Sequence, residues 1–279
     1  MERGKYTFPN RNGFALRSDL RDPKLQEYLR VCLQENESFC GRASLYWSRQ
    51  WEYPYVLANL PADGTGKRIL DAGCGYRFFA PLLAKRGFEV DTCDLDASIG
   101  PKYDEIAARH DIAIEFTQQD LATLSYADET FDFICCIGVL EHARDRAAIV
   151  RELRRCLKPG GMLLLTFGVS VHGEREISIA GTKELIHLLE QELIPMTPFC
   201  YSSHLDESVL SRDEEVLRTE WYRRHRPELL PWRIISRASL QNLRRGRFGR
   251  PFFDLAVVGL ALSKRREAAG EPSCGGGSS

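Results

Sequence analysis

Between Lys67 and Phe167 short apolar runs alternate with segments whose apolar residues recur at helical spacing. That alternation yields a parallel sheet covered by helices. The predicted strands are residues 68–71, 89–94, 112–116, 131–137 and 162–167, and their β-branched and aromatic content suits strands buried on both faces. Phe78, Phe79, Leu82 and Leu83 mark one intervening helix, and Val150, Leu153 and Leu157 mark another. Pro159 and the glycines after it are expected to end the second helix and turn the chain into the fifth strand.

Upstream, residues 22–35 and 43–60 read as helices of an N-terminal cap. The second is rich in aromatics (Tyr46, Trp47, Trp51, Tyr53, Tyr55), and Pro54 is expected to interrupt it. Downstream come a helix over 181–192, a strand over 193–201, an amphipathic helix over 205–226 and a last strand over 252–262. The expected organisation is a cap and tail over 1–60, one domain over 61–265 with an insertion at about 202–250 between the last two strands, and a disordered tail over 266–279.

Composition narrows the function classes. With 279 residues, 43% of them hydrophobic, the chain can bury one substantial core. A formal net charge of −1 gives no general reason to expect nucleic-acid binding, although arginines cluster between Arg218 and Arg250 against only Glu220 and Glu228. The nine cysteines are scattered, without a CxxC pair or zinc spacing, which suits a reducing compartment and predicts no structural metal. The N-terminus lacks the apolar core of a signal peptide, and the apolar stretch at 255–262 is too short to cross a bilayer, so a soluble cytoplasmic protein is expected.

Candidate chemistry lies at the predicted strand ends. Asp71-Ala-Gly-Cys-Gly75 puts small residues at the carboxyl edge of a parallel sheet, where open α/β folds bind ligands and where glycine lets a ligand approach the backbone. A dinucleotide fingerprint would place its third glycine at position 78, where Phe78 stands, and Arg77 blocks a tighter spacing. Asp94, about 20 residues beyond the glycines, ends the second strand where an α/β unit delivers a carboxylate to ribose hydroxyls. Asp91 and Asp96 are rivals, but only Asp94 directly ends the strand. Gln119-Asp120-Leu121 follows the third strand, where a carboxylate can accept from an exocyclic amine such as that of adenine, or simply cap a turn.

The ordered set ILDAGCG, VDTCDLD, QQDLATLSYADETFDFICCIGVLEHARD and ELRRCLKPGGMLLLTF resembles the class I S-adenosylmethionine-dependent methyltransferases over roughly residues 66 to 168. The resemblance implies an α/β, Rossmann-like sheet of seven strands with helices on both faces and the last strand antiparallel. It also implies S-adenosylmethionine as cofactor. Asp71, Gly73 and Gly75 then match the motif against the methionine and ribose, and Asp94 the ribose acid. Asp120 and Leu121 match the adenine-contacting pair, and Gly138 to His142 the segment beside the methionine moiety and the reaction site. Arg77 departs from a frequent third glycine, which is tolerable because this cofactor carries no phosphate.

Methyl transfer mainly requires a nucleophile aligned with the C–S bond at about 3–3.5 Å. A hydroxyl acceptor also needs a base, for which His142 and His172 lie at the correct sheet edge; amine or carbon acceptors do not require one. The expected substrate is a small molecule, such as a secondary metabolite or an acidic or glycosylated compound. The alternatives are an RNA or protein methyltransferase, which the arginine run 244–250 would favour, and a non-catalytic adenosylmethionine-binding module. The aromatic cap around Arg49 and the segment around Trp221 and Tyr222 are candidate walls of the acceptor pocket.

Overall fold

The computed structural model describes residues 8–170, 177–199, 209–210 and 255–266. In chain order its strands are β1 (Gly13–Phe14), β2 (Arg68–Ala72), β3 (Glu89–Asp94), β4 (Glu115–Gln118), β5 (Phe131–Ile137), β6 (Leu157–Ser170), β7 (Ile177–Ser178), β8 (Ile194–Pro195) and β9 (Leu255–Ser263). The helices are α1 (Pro23–Cys40), α2 (Arg49–Ala58), α3 (Phe79–Lys85), α4 (Gly100–His110), α5 (Arg146–Cys156) and α6 (Ile179–Glu192). One sheet runs β1-β9-β6-β5-β2-β3-β4, with β7 beside β6 and β8 beside β9. Strands β2 to β6 pair in parallel, and β9 lies antiparallel to β6 from Met162↔Ser263 to Ser170↔Leu255. The expected seven strands are therefore present, and the two-residue pieces β1 and β7 bring the described sheet to nine.

Parallel pairing sends every crossover over a face, so both faces are covered. Leu25 of α1, Trp51 and Leu57 of α2, Leu83 of α3 and Ile106 of α4 pack with Ile69, Val90 and Cys135 on one face. On the other, Ile149 and Leu153 of α5 and Leu185 of α6 pack with Leu70, Ile134 and Cys136. Cys135 and Cys136 thus enter opposite layers, as alternation along a strand requires.

Several boundaries differ from the sequence expectation. The third strand begins at Glu115 rather than 112, because Ile112 N–H closes back onto Ala107 O at the end of α4 and Asp111 turns left-handed at φ 52°. Helix α4 itself was not predicted; its inner face rests on few apolar residues, chiefly Tyr103 and Ile106. Helix α5 stops at Cys156, and Lys158 to Gly161 belong to β6 instead of a turn. Gly160, at φ 79°, donates its N–H to Lys264 O at 2.9 Å and so extends the ladder past the proline.

The second cap helix begins only at Arg49, and Pro54 sits inside it without breaking it. The lost N–H bond is offset by packing, since Trp51, Tyr53, Tyr55, Val56 and Leu57 are all buried. The strand expected over 193–201 is confined to Ile194–Pro195 among the described residues. Of the helix expected over 205–226 only Val209 and Leu210 are described, and there the chain is extended, bridging Val209 to Leu16.

Helix α2 is seated on β9 at Gly259, where a Cβ would stand 2.6 Å from the Trp51 ring and 2.7 Å from Tyr55. Those rings stack at 4.7 Å; Trp51 Nε1 donates to Asp19 at 2.9 Å, and Tyr55 OH to Asn12 at 3.2 Å. The cap is thereby held over the centre of the sheet, with Arg49 and Glu52 near the strand ends. No helix among the described residues is long and apolar enough to cross a membrane.

Candidate active site

The loop after β2 is drawn toward β3 by two backbone bonds, Gly73 N–H and Cys74 N–H to Cys93 O at 2.9 and 3.1 Å. Gly73 has φ 72°, and a Cβ there would meet Val139 at 2.6 Å, so only glycine fits. Gly75 N–H donates to Asp94 Oδ2 at 2.9 Å, and Asp96 N–H to Asp94 Oδ1 at 3.1 Å. Each carboxylate oxygen of Asp94 is thus oriented by one amide and keeps capacity for a further donor. Helix α4 contributes from behind, with Tyr103 OH donating to Gly75 O at 2.9 Å.

Phe78 occupies the third-glycine position because the helix start is packed rather than opened. It is fully buried, edge-on to Tyr53 at 4.9 Å. Arg77 is exposed and donates to its neighbour's carbonyl, Tyr76 O. The rivals of Asp94 are employed elsewhere: Asp91 is buried and paired with Arg68 at 2.8 and 2.9 Å, and Asp96 caps the next turn through Ser98 N–H.

After β4, Asp120 accepts Ala122 N–H at 2.9 Å while Leu121 points into the core. Neighbouring Gln119 borders the same region, and its buried Nε2 has no geometric hydrogen bond among the described residues. After β5, Gly138 has φ 65° and donates to Thr166 O. A Cβ at Gly138 would stand 2.4 Å from the Arg49 guanidinium.

These strand ends share one cleft of about 670 Å³, lined among others by Gly73, Asp94, Asp120, Leu121, Gly138 and His142. Asp71 and Gly75 stand behind it, Asp71 buried within β2 and Gly75 holding Asp94. His142 is exposed at the rim. His172, the segment 211–250 with its arginines, and Trp221 with Tyr222 lie outside the described residues.

Sequence reasoning did not single out the acids behind the cleft, although Glu141 lies within the segment 138–142 that it placed beside the reaction site. Arg49 Nη1 binds Glu52 Oε2 at 2.7 Å, and Thr166 Oγ1 donates to Glu52 Oε1 at 2.9 Å. Glu141 accepts Gly168 N–H at 3.1 Å. The available signal was Glu52 three residues after Arg49 in an otherwise aromatic helix, a charge placed where burial demands a partner.

Burial pushes the Asp71 carboxyl up to about 7, Arg49 opposing the shift and Asp94 adding to it. The ordinary value is 3.8, so between those values the folded chain binds a proton that the unfolded chain has released. Stability accordingly declines as pH rises through that window. Asp71→Asn is expected to flatten this part of the curve, which thermal unfolding at a series of pH values would measure; an unchanged slope would remove Asp71 as its source.

A methyltransferase-domain family model matches residues 70–165, from β2 into β6. The ubiquinone biosynthesis O-methyltransferase of Alkalilimnicola ehrlichii is 30% identical over 183 residues, covering 62% of this chain and 74% of that protein. The chain belongs to the S-adenosylmethionine-dependent methyltransferases. A protein of the same name in Xanthomonas oryzae is 32% identical over 141 residues, and this methyltransferase spans 56% of its length and aligns over 48% of its own. Among solved structures, a phosphoethanolamine N-methyltransferase from Haemonchus contortus in complex with S-adenosyl-L-methionine has a TM-score of 0.52 at 17% identity, covering 87% of this methyltransferase and 60% of that chain. That likeness is one of fold.

The residues present suit the cofactor. Asp94 offers oriented acceptors and Gln119 a donor, and with Gly73 and Gly138 they line a cavity of adequate volume.

Proposed function

We propose that this methyltransferase methylates a hydroxyl oxygen of a small molecule. Convergence of three strand ends on one cleft, with Asp94 fixed by two backbone amides, carries the cofactor half of this reading. When bound, S-adenosylmethionine supplies a methyl group already activated on a sulfonium. In this reading Asp94 accepts from the ribose hydroxyls, and Asp120 with Gln119 meets the adenine edge, Leu121 packing beside it. Gly73 and Gly138 line the part of the cleft where the methionine portion lies, and Asp71 stands behind it. The protein's main contribution is alignment.

The acceptor half rests on the names of the relatives, which are O-methyltransferases, and on a net charge of −1, which gives no pull toward nucleic acid. A base is then required, and His142 at the cleft rim and Glu141 behind it are the described candidates. The test is transfer of radiolabelled methyl from S-adenosylmethionine to panels of phenols, aliphatic alcohols, amines and RNA. Label on a hydroxyl compound is expected; label on amines or RNA alone would overturn the reading.

A further inference from the structure

We infer that Glu141 is the group that accepts the acceptor's hydroxyl proton, an inference that rests on the hydroxyl-directed reading above. Glu141 lies in the 3-10 turn Leu140–His142 after β5. Gly138, Val139 and His142 line the cleft, whereas Glu141 turns toward β6 and α2. One of its oxygens, Oε1, is tethered by Gly168 N–H at 3.1 Å. The other, Oε2, is buried and has no hydrogen-bond partner among the described residues. A bare carboxylate oxygen in a buried corner is unusual in a folded chain and points to a ligand donor.

The surrounding groups leave that vacancy to Glu141 alone. Both oxygens of Glu52 are taken, one by Arg49 and one by Thr166. Arg49 gives Nη1 to Glu52, and no hydrogen bond joins its guanidinium to Glu141 among the described residues. The charged and titratable groups facing Glu141 are Arg49 and Glu52 from α2 and Cys136 from β5; burial holds the Cys136 thiol in its neutral form. The corner meets the cleft at Gly138, which lines the cleft and has the Arg49 guanidinium against it. Oε2 itself is closed to solvent in this structure, so proton transfer to Glu141 entails a local shift that opens Oε2 to the acceptor.

His142 suits the task less well. It is exposed and lies on the cleft wall with Arg144, Asp145 and Ile149. Burial pushes the Glu141 carboxyl up to about 7, Glu52 adding to the shift while the Gly168 amide and Arg49 oppose it. A base is most effective when its pKa lies near the working pH.

The acceptor O–H bond breaks and its proton goes to Glu141 Oε2. The oxygen lone pair forms the new O–CH3 bond as the C–S bond breaks, sulfur keeping that electron pair as a neutral thioether. A sulfonium and a carboxylate become a thioether and a carboxylic acid, and Glu141 then returns its proton to water.

The test uses the whole chain saturated with S-adenosylhomocysteine and, as acceptor probe, 4-nitrocatechol, whose visible absorption separates phenol from phenolate. Wild-type protein is expected to show the phenolate band at a pH below the probe's own pKa, and Glu141→Gln to bind the probe without it. With S-adenosylmethionine, E141Q should lower transfer to hydroxyl acceptors by about 100-fold or more, with Glu141→Asp partly restoring it and cofactor affinity by calorimetry unchanged. A phenolate band kept by E141Q, or absent from wild type, overturns the assignment of Glu141. Wild-type protein that transfers methyl to no hydroxyl acceptor overturns instead the hydroxyl reading.

Discussion

Replacing Asp94 with alanine is expected to weaken S-adenosylmethionine binding by roughly 30- to 1000-fold. A hydrogen bond to a charged acceptor contributes about 1.5–3 kcal/mol. Two such bonds, less than additive because they share one carboxylate, therefore represent roughly 2–4 kcal/mol, at about 1.4 kcal/mol per tenfold. The substitution also frees the Gly75 and Asp96 amides that Asp94 now holds at 2.9 and 3.1 Å, so the glycine turn loses its tie to β3 at this point. Asp96→Ala is the control, because Asp96 caps a neighbouring turn and does not line the cleft. Isothermal titration of both variants decides the matter: equal, small losses would show that Asp94 is only another turn acid.

The second large effect is on stability. Trp51→Ala is expected to cost about 3–5 kcal/mol, the range for removing a large buried aromatic side chain. Trp51 is 1% exposed, stacks on Tyr55 and gives its indole N–H to Asp19. Gly259→Ala should cost about 1–3 kcal/mol alone, since the new methyl would stand 2.6 Å from the same ring. The double variant should be more stable than the sum of the two losses implies, because removing the indole makes room for the methyl. Denaturant unfolding of the four proteins measures this, and strict additivity would sink the account of how α2 sits on β9. Loosening α2 also displaces Arg49 and Glu52, so the consequence reaches the site.

The legible parts of the fold are those in which local pattern and tertiary environment agree. Strands β3 and β5 fall at the predicted residues because their apolar runs are bounded by clear turn signals. Helix α4 was missed because burial of Tyr103 and Ile106 suffices to hold it, leaving too few apolar positions to show a period. Lys-Pro-Gly-Gly reads as a terminator yet lies in a strand, since β9 and the residues after it supply a ladder partner that local sequence does not contain. Pro54 reads as a break yet is carried within a helix by the burial of its neighbours.

The sequence by itself determined the parallel order of alternating strands and helices and the acidic or glycine residues that end them. Both follow from periods and spacings of a few residues, which a chain displays whatever its final packing. Only the tertiary structure decided that Phe78 closes against Tyr53, that Asp91 belongs to Arg68, and that Arg49, Glu52 and Glu141 form one buried corner behind Gly138. Glu52 and its partner Thr166 are 114 residues apart, and no local period relates them. Their meeting comes from seating a cap helix on the sheet, where low dielectric makes each unpaired charge costly and each remaining vacancy meaningful.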